Sequence, residues 1–246
     1  MDVHHHSGSH GHGGKKGFKD YFQEFLMLFL AVTLGFMAEN LRESISDKHH
    51  VQELAGQLKE DLINDTSKLS RLIEFQQLQI RRADSLFAIL TQPPSSIDHM
   101  KLQNMIVDCD RIDLFYPSTG AISTIKKDLH LKKFVETKIA KHIDLYEKDI
   151  ATLEKFEARD IDYMGKYLES FVSSHFTPEN ITAAVVRSPV VNAGMRNLSP
   201  ADLIQLSVDI NLIKAYNLRL VSFYQKIKAD GIAFIGHINA TYDLDE

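Results

Sequence analysis

Apolar positions along this chain of 246 residues follow two patterns, and each predicts a different kind of helix. From Phe25 to Ala38 no charged residue occurs, and every side of a helical wheel is apolar. Beyond that run, apolar residues return at steps of three and four: Val51, Ala55, Leu58, Leu62, Leu69, Ile73, Ile80, Ala83, Phe87 and Leu90, with Thr66 and Gln76 interrupting. This is an amphipathic helical stripe. Pro93 and Pro94 end it, because proline lacks the amide hydrogen and restricts the residue before it. A short helix is predicted over Ile97 to Asp108, then an irregular connection with turn residues Pro117, Ser118 and Gly120. A second stripe reads Ile125, Leu129, Val135, Ile139, Ile143, Tyr146, Ile150, Leu153, Met164, Leu168 and Phe171, and Gly165 alone does not stop it. From His175 to Pro200 the prolines at 178, 189 and 200 predict a loop with one helical turn. Ser199 then caps a last helix, with Pro200 at its first position and Asp202 in its first turn. The seam of that helix keeps strict three-four spacing through Leu203, Leu206, Ile210, Ile213, Asn217, Leu220, Tyr224, Ile227, Gly231, Phe234 and Ile238.

Together these elements predict an all-α protein. One N-terminal transmembrane helix continues into a long helix, and an antiparallel bundle of long helices follows. Residues 1–17 read as a flexible His/Gly-rich tail, 18–41 as a transmembrane anchor and 42–246 as one helical bundle domain. Fourteen apolar positions span only ~21 Å, short of a ~30 Å hydrocarbon core. The flanks supply the rest. Tyr21 and Phe22 on one side and Asn40 and Leu41 on the other lengthen the span to about twenty residues, and Lys15, Lys16 and Lys19 are able to snorkel. A buried core helix and a signal peptide are the competing readings. No A-x-A cleavage pattern follows the run, so an uncleaved anchor is expected. The lysine cluster before the span, set against Arg42, Lys48 and Lys59 spread among acidic residues after it, orients the tail to the cytoplasm and the bundle to the periplasm.

Composition narrows the function classes. A net charge of -5 without a basic block argues against a nucleic-acid partner. A single cysteine, Cys109, excludes an intrachain disulfide and any multi-cysteine metal site. Only 12 Gly and 6 Pro punctuate the chain, which favours long helices over many short strands.

The segment EFLMLFLAVTLGFMAENLRE, preceded by KKGFKDYF, resembles the N-terminal signature of small uncharacterised single-pass membrane proteins of Bacteroidetes. The Val3 to His6 stretch and the pair Lys15 and Lys16 are similar to theirs as well. The resemblance covers residues 15–43. It implies membrane location in a bacterial envelope setting and carries no activity or catalytic residue; the inner membrane is the expected location.

Candidate chemistry is sparse. His4, His5, His6, His10 and His12 make the tail able to take Zn, Ni or Cu, although nothing in the sequence pre-organises them, and a solvated tail is the plainer reading. Glu24 and Glu39 bracket the apolar run as membrane-boundary carboxylates. Ala31 and Gly35 form a small-x-x-x-small pair, a packing face for a second helix in the membrane. Asp108, Asp110 and Asp113 beside Cys109 lack the glycine and distal Glu of a calcium loop and read as a charged helix end. Asn217 in the last seam is expected to set register or pair with another buried polar group. No nucleophile elbow, phosphate loop or H-E-x-x-H motif occurs, so no enzyme and no cofactor are expected. The predicted function is that of a membrane-anchored structural or interaction protein, a subunit or accessory of an envelope complex. Its partners are the lipid bilayer and other envelope proteins or a second copy. The alternative is a sensory or ligand- and metal-binding module signalling through its membrane-proximal helix.

Overall fold

The computed structural model describes residues 17–127, 139–242 and 244. The histidine tail and stripe residues Leu129 and Val135 lie outside them. The chain is all-α. Helix α1 spans Phe18–Leu90, α2 His99–Cys109, α3 Gly120–Lys127 and α4 Ala140–Tyr163. A π-helical segment, Met164–Glu169, joins α4 to α5, Ser170–His175; α6, Pro178–Val185, and α7, Pro200–Tyr242, complete the fold. Among the described residues there is no strand, only an isolated antiparallel bridge between Phe176 and Met195. Two compact units divide the chain, Met1–Val51 and Gln52–Glu246.

In the first unit the described residues are helical from Phe18 onward, and their side chains find almost no cover within the protein. Phe25, Met27, Leu28, Leu34, Phe36 and Leu41 are all more than 60% exposed. The Thr33 hydroxyl donates to the carbonyl of Phe29 at 2.7 Å, so the one polar side chain inside the apolar run is satisfied within the helix.

In the second unit α7 packs against both α1 and α4. Lys214 pairs with Asp84, the methyl of Thr66 faces Gly231, and Lys59 donates to the carbonyl of Leu244 at 3.1 Å, which sets α7 antiparallel to α1. Lys226 with Asp149 and the Phe156–Phe223 and Tyr163–Tyr216 ring contacts set it antiparallel to α4 as well. All eleven predicted seam positions of α7 are buried, Asn217 included. Its start is a capping box, in which Asp202 accepts from the amide of Ser199 at 2.8 Å and the Ser199 hydroxyl accepts from the amide of Asp202 at 3.3 Å.

The stripe of α1 differs from the expected one. Its buried positions run Leu58, Leu62, Asp65, Leu69, Leu72, Gln76, Gln79, Ala83, Leu86 and Leu90, so Ile73, Ile80 and Phe87 fall to the flank. The reason is polar. Gln79 donates to the carbonyl of Arg111 at 2.7 Å and Asp65 holds Ser118, so these side chains face inward where a purely apolar reading places their neighbours. The expected loop after His175 also contains a full helix, α6, capped by the Thr177 hydroxyl.

Candidate functional site

The polar connection between α2 and α3 is clamped by carboxylates. Asp65, 1% exposed, accepts from the amide of Ser118 at 2.9 Å, its hydroxyl at 2.8 Å, the hydroxyl of Tyr146 at 2.8 Å and the ammonium of Lys68 at 3.0 Å. One turn earlier, Asp61 accepts from the amide of Ala121 at 3.0 Å and so caps α3 from another helix. Further along, Glu157 accepts from the amide of Phe115 at 3.0 Å and the hydroxyl of Tyr224 at 2.6 Å. Burial raises the Glu157 carboxyl above its usual range, and burial followed by the charge of Glu157 pushes Asp160 up to about 6. Both oxygens of Asp65 are filled by the protein's own donors, whereas the buried Oδ1 of Asp160 has no partner among the described residues. These groups position a loop, and beside it a cleft of about 460 Å3 opens between Ser118, Ile122, Tyr146, Glu147 and Ile150.

A second feature is open. A cleft of about 420 Å3 lies between the end of α2, the π-helical segment with α5, and the end of α6. Val107, Val172, Ile181 and Ala184 line its walls, and Asp110, Glu169 and Arg187 stand at it. Local sequence explains each placement. Asp110 is the residue at which α2 ends. Glu169 closes the π-helical segment, whose wide turn around Gly165 keeps Met164 and Leu168 in the core; such turns recur at functional sites. Arg187 follows α6 in a Schellman motif, with its own amide donating to Ala184 and that of Ser188 donating to Ala183, both through carbonyl oxygens. Glycine is the favoured residue at that left-handed position, yet an arginine with φ 55° occupies it. The other wall is fixed by buried amides: Asn180 donates to Gln103 at 2.7 Å and to the carbonyl of Asn192 at 2.8 Å, and accepts from the amide of Val191 at 3.0 Å.

Burial, then the neighbouring charge of Glu169, pushes the Asp110 carboxyl up to about 6, and Arg187 opposes that shift. Among the described residues, Asp110, Glu169 and Arg187 make no side-chain hydrogen bond or salt bridge to one another.

The residues singled out from sequence distribute as follows. Glu24 and Glu39 both lie on α1, ~22 Å apart along its axis, and Glu39 is bonded to Arg42 one turn on. Ala31 and Gly35 are exposed, and a Cβ built on Gly35 meets nothing within 4 Å, so that face is open to a second helix. The acidic trio does not converge: Asp108 pairs with Arg111 at 2.9 Å and Asp110 faces the cleft, while Asp113 lies beside Lys68 and Arg71. Cys109 is buried and its thiol is raised to about 12 by burial, which makes it unreactive. Among the described residues no group of three His, Cys, Asp or Glu is placed to hold a metal ion. His4, His5, His6, His10 and His12 lie outside them.

Glu169 and Arg187 were not distinguished by the sequence patterns. The signal for Arg187 is the run Val-Val-Arg-Ser-Pro, a helix end without the glycine such an end favours. Comparison of the chain with protein-family models, with curated proteins and with solved structures found no match.

Proposed function

We propose that this chain is a single-pass membrane-anchored helical protein with a structural or interaction role, a subunit or accessory of a bacterial cell-envelope complex. One observation carries the reading. Helix α1 contains an eighteen-residue stretch long and apolar enough to cross a membrane, and none of that stretch is buried. Exposed apolar surface on that scale is costly in water and favourable in lipid. The rest of α1 and the helices after it bury apolar residues of their own, with Leu58, Leu69, Leu86, Leu153 and Leu206 fully enclosed.

The lysine bias before the span supports a cytoplasmic tail and a periplasmic bundle, hence an inner-membrane anchor, and the resemblance of residues 15–43 to Bacteroidetes membrane proteins supports a bacterial envelope setting. The open Ala31 and Gly35 face offers a packing surface for a second transmembrane helix, from another envelope protein or a second copy. The test is mild detergent extraction of native membranes after in-cell cross-linking. A complex well above the chain's 28.0 kDa supports the reading, and an uncross-linked monomer counts against it.

A second reading, a ligand-binding or sensory module, is favoured by the cleft at Asp110, Glu169 and Arg187, whose volume lies within the ~300–1,000 Å3 of small-molecule sites.

A further inference from the structure

The geometry points to the cleft between α2, α5 and α6 as a binding site for a small zwitterion of the α-amino-acid type with an aliphatic side chain. Asp110 and Glu169 would hold its ammonium, Arg187 its carboxylate, and Val172, Ile181 and Ala184 its apolar tail. This rests on the second reading above, ligand binding by the Gln52–Glu246 unit, and not on membrane anchoring.

The charges argue for this ligand class. Two carboxylates flank the cavity without a hydrogen bond or a salt bridge to the guanidinium that shares it, and with Glu169 and Arg187 exposed and Asp110 half-buried both signs are open to a ligand. A simple cation would leave Arg187 without a partner, and a simple anion would meet two like charges. A molecule carrying both signs satisfies all three groups, and a guanidinium suits a carboxylate through paired N–H donors. The walls between them are apolar, which selects an aliphatic body over a polar one.

The backbone argues for function over architecture. Arginine is held left-handed at the one position of the α6 end where glycine relieves strain, so the fold keeps the side chain at a cost to its own stability.

The experiment titrates the full chain in mild detergent with three probes by calorimetry: L-leucine, isoamylamine, which lacks the carboxylate, and 4-methylpentanoate, which lacks the ammonium. L-leucine is expected to bind saturably, with each of the other two weaker by about tenfold or more. Asp110→Asn and Arg187→Gln should each weaken L-leucine by a similar factor. The Arg187→Gly variant should lose binding while its Tm rises by about 2–4 °C, a combination a merely structural arginine does not give. Binding should also strengthen as pH rises through about 6, where Asp110 ionises, and that dependence should vanish in Asp110→Asn. Isoamylamine binding as tightly as L-leucine, with Arg187→Gln silent, would overturn the zwitterion assignment and leave a cation site. Absence of saturable binding by all three probes would overturn this assignment and the ligand-binding reading together, while leaving the anchored scaffold untouched.

Discussion

Asp160 shows what a buried carboxyl does to the pH dependence of this fold. Its folded value is raised from the ordinary 3.8 to about 6 by burial first and by Glu157 second, so the folded state holds its proton after the unfolded chain has released it. Stability therefore falls as pH rises from about 4 to about 6, by about 2–3 kcal/mol, and is flat for this group above that window. Glu157 is shifted in the same direction and adds with the same sign. Asp160→Asn is expected to flatten the window and to stabilise the protein near neutral pH, read from urea midpoints at several pH values. Asp65 plays a different part, since its oxygens accept from Ser118, Tyr146 and Lys68. Asp65→Ala strands those donors, and a loss of about 3 kcal/mol in the same assay is expected. Taken one at a time in the sequence, both aspartates look like ordinary polar positions. For Asp65 a signal existed: it sits in register with Leu58, Leu62 and Leu69 on the buried face. Reading only apolar residues passes over a charge that the core has claimed.

At the level of elements, α7 was legible almost completely and α1 only in outline. The α7 seam is apolar at nearly every buried step, so spacing alone identifies it. In α1 the buried face includes Asp65, Gln76 and Gln79, and the large neighbours Ile73, Ile80 and Phe87 draw the reading one position off. The irregular connection around Pro117 was expected, whereas its partners on α1 and α4 were not, since they come from residues far away in sequence. The cleft was illegible for the same reason: Asp110, Glu169 and Arg187 meet only after four elements have packed. The crossing of α1 and α7 gives a prediction of its own. A Cβ at Gly231 would lie 3.0 Å from the Thr66 methyl, so the helices touch closely there. Gly231→Leu is expected to cost about 1–3 kcal/mol by overpacking, and Thr66→Ala in the same chain to recover part of it, measured by thermal unfolding.

For the whole molecule, the hydrophobic pattern separates one stretch of helix without a polar face from stripes that have one. The run from Phe25 to Ala38 differs from every later stripe in lacking a polar face, and its large apolar side chains are exposed, where Leu58, Leu62, Leu69, Leu153 and Leu206 of the later helices are buried. Anchoring through this helix is the central claim, and alkaline carbonate washing of membranes from cells expressing the full chain tests it most directly. The wild-type protein should remain in the membrane pellet and be released by detergent, while Leu30→Arg combined with Leu34→Arg, which places two charges in the apolar run at ~2.5–3.5 kcal/mol each, should shift it to the supernatant with its helical content kept. A wild-type chain recovered in the supernatant without detergent, folded and monodisperse, would contradict the account.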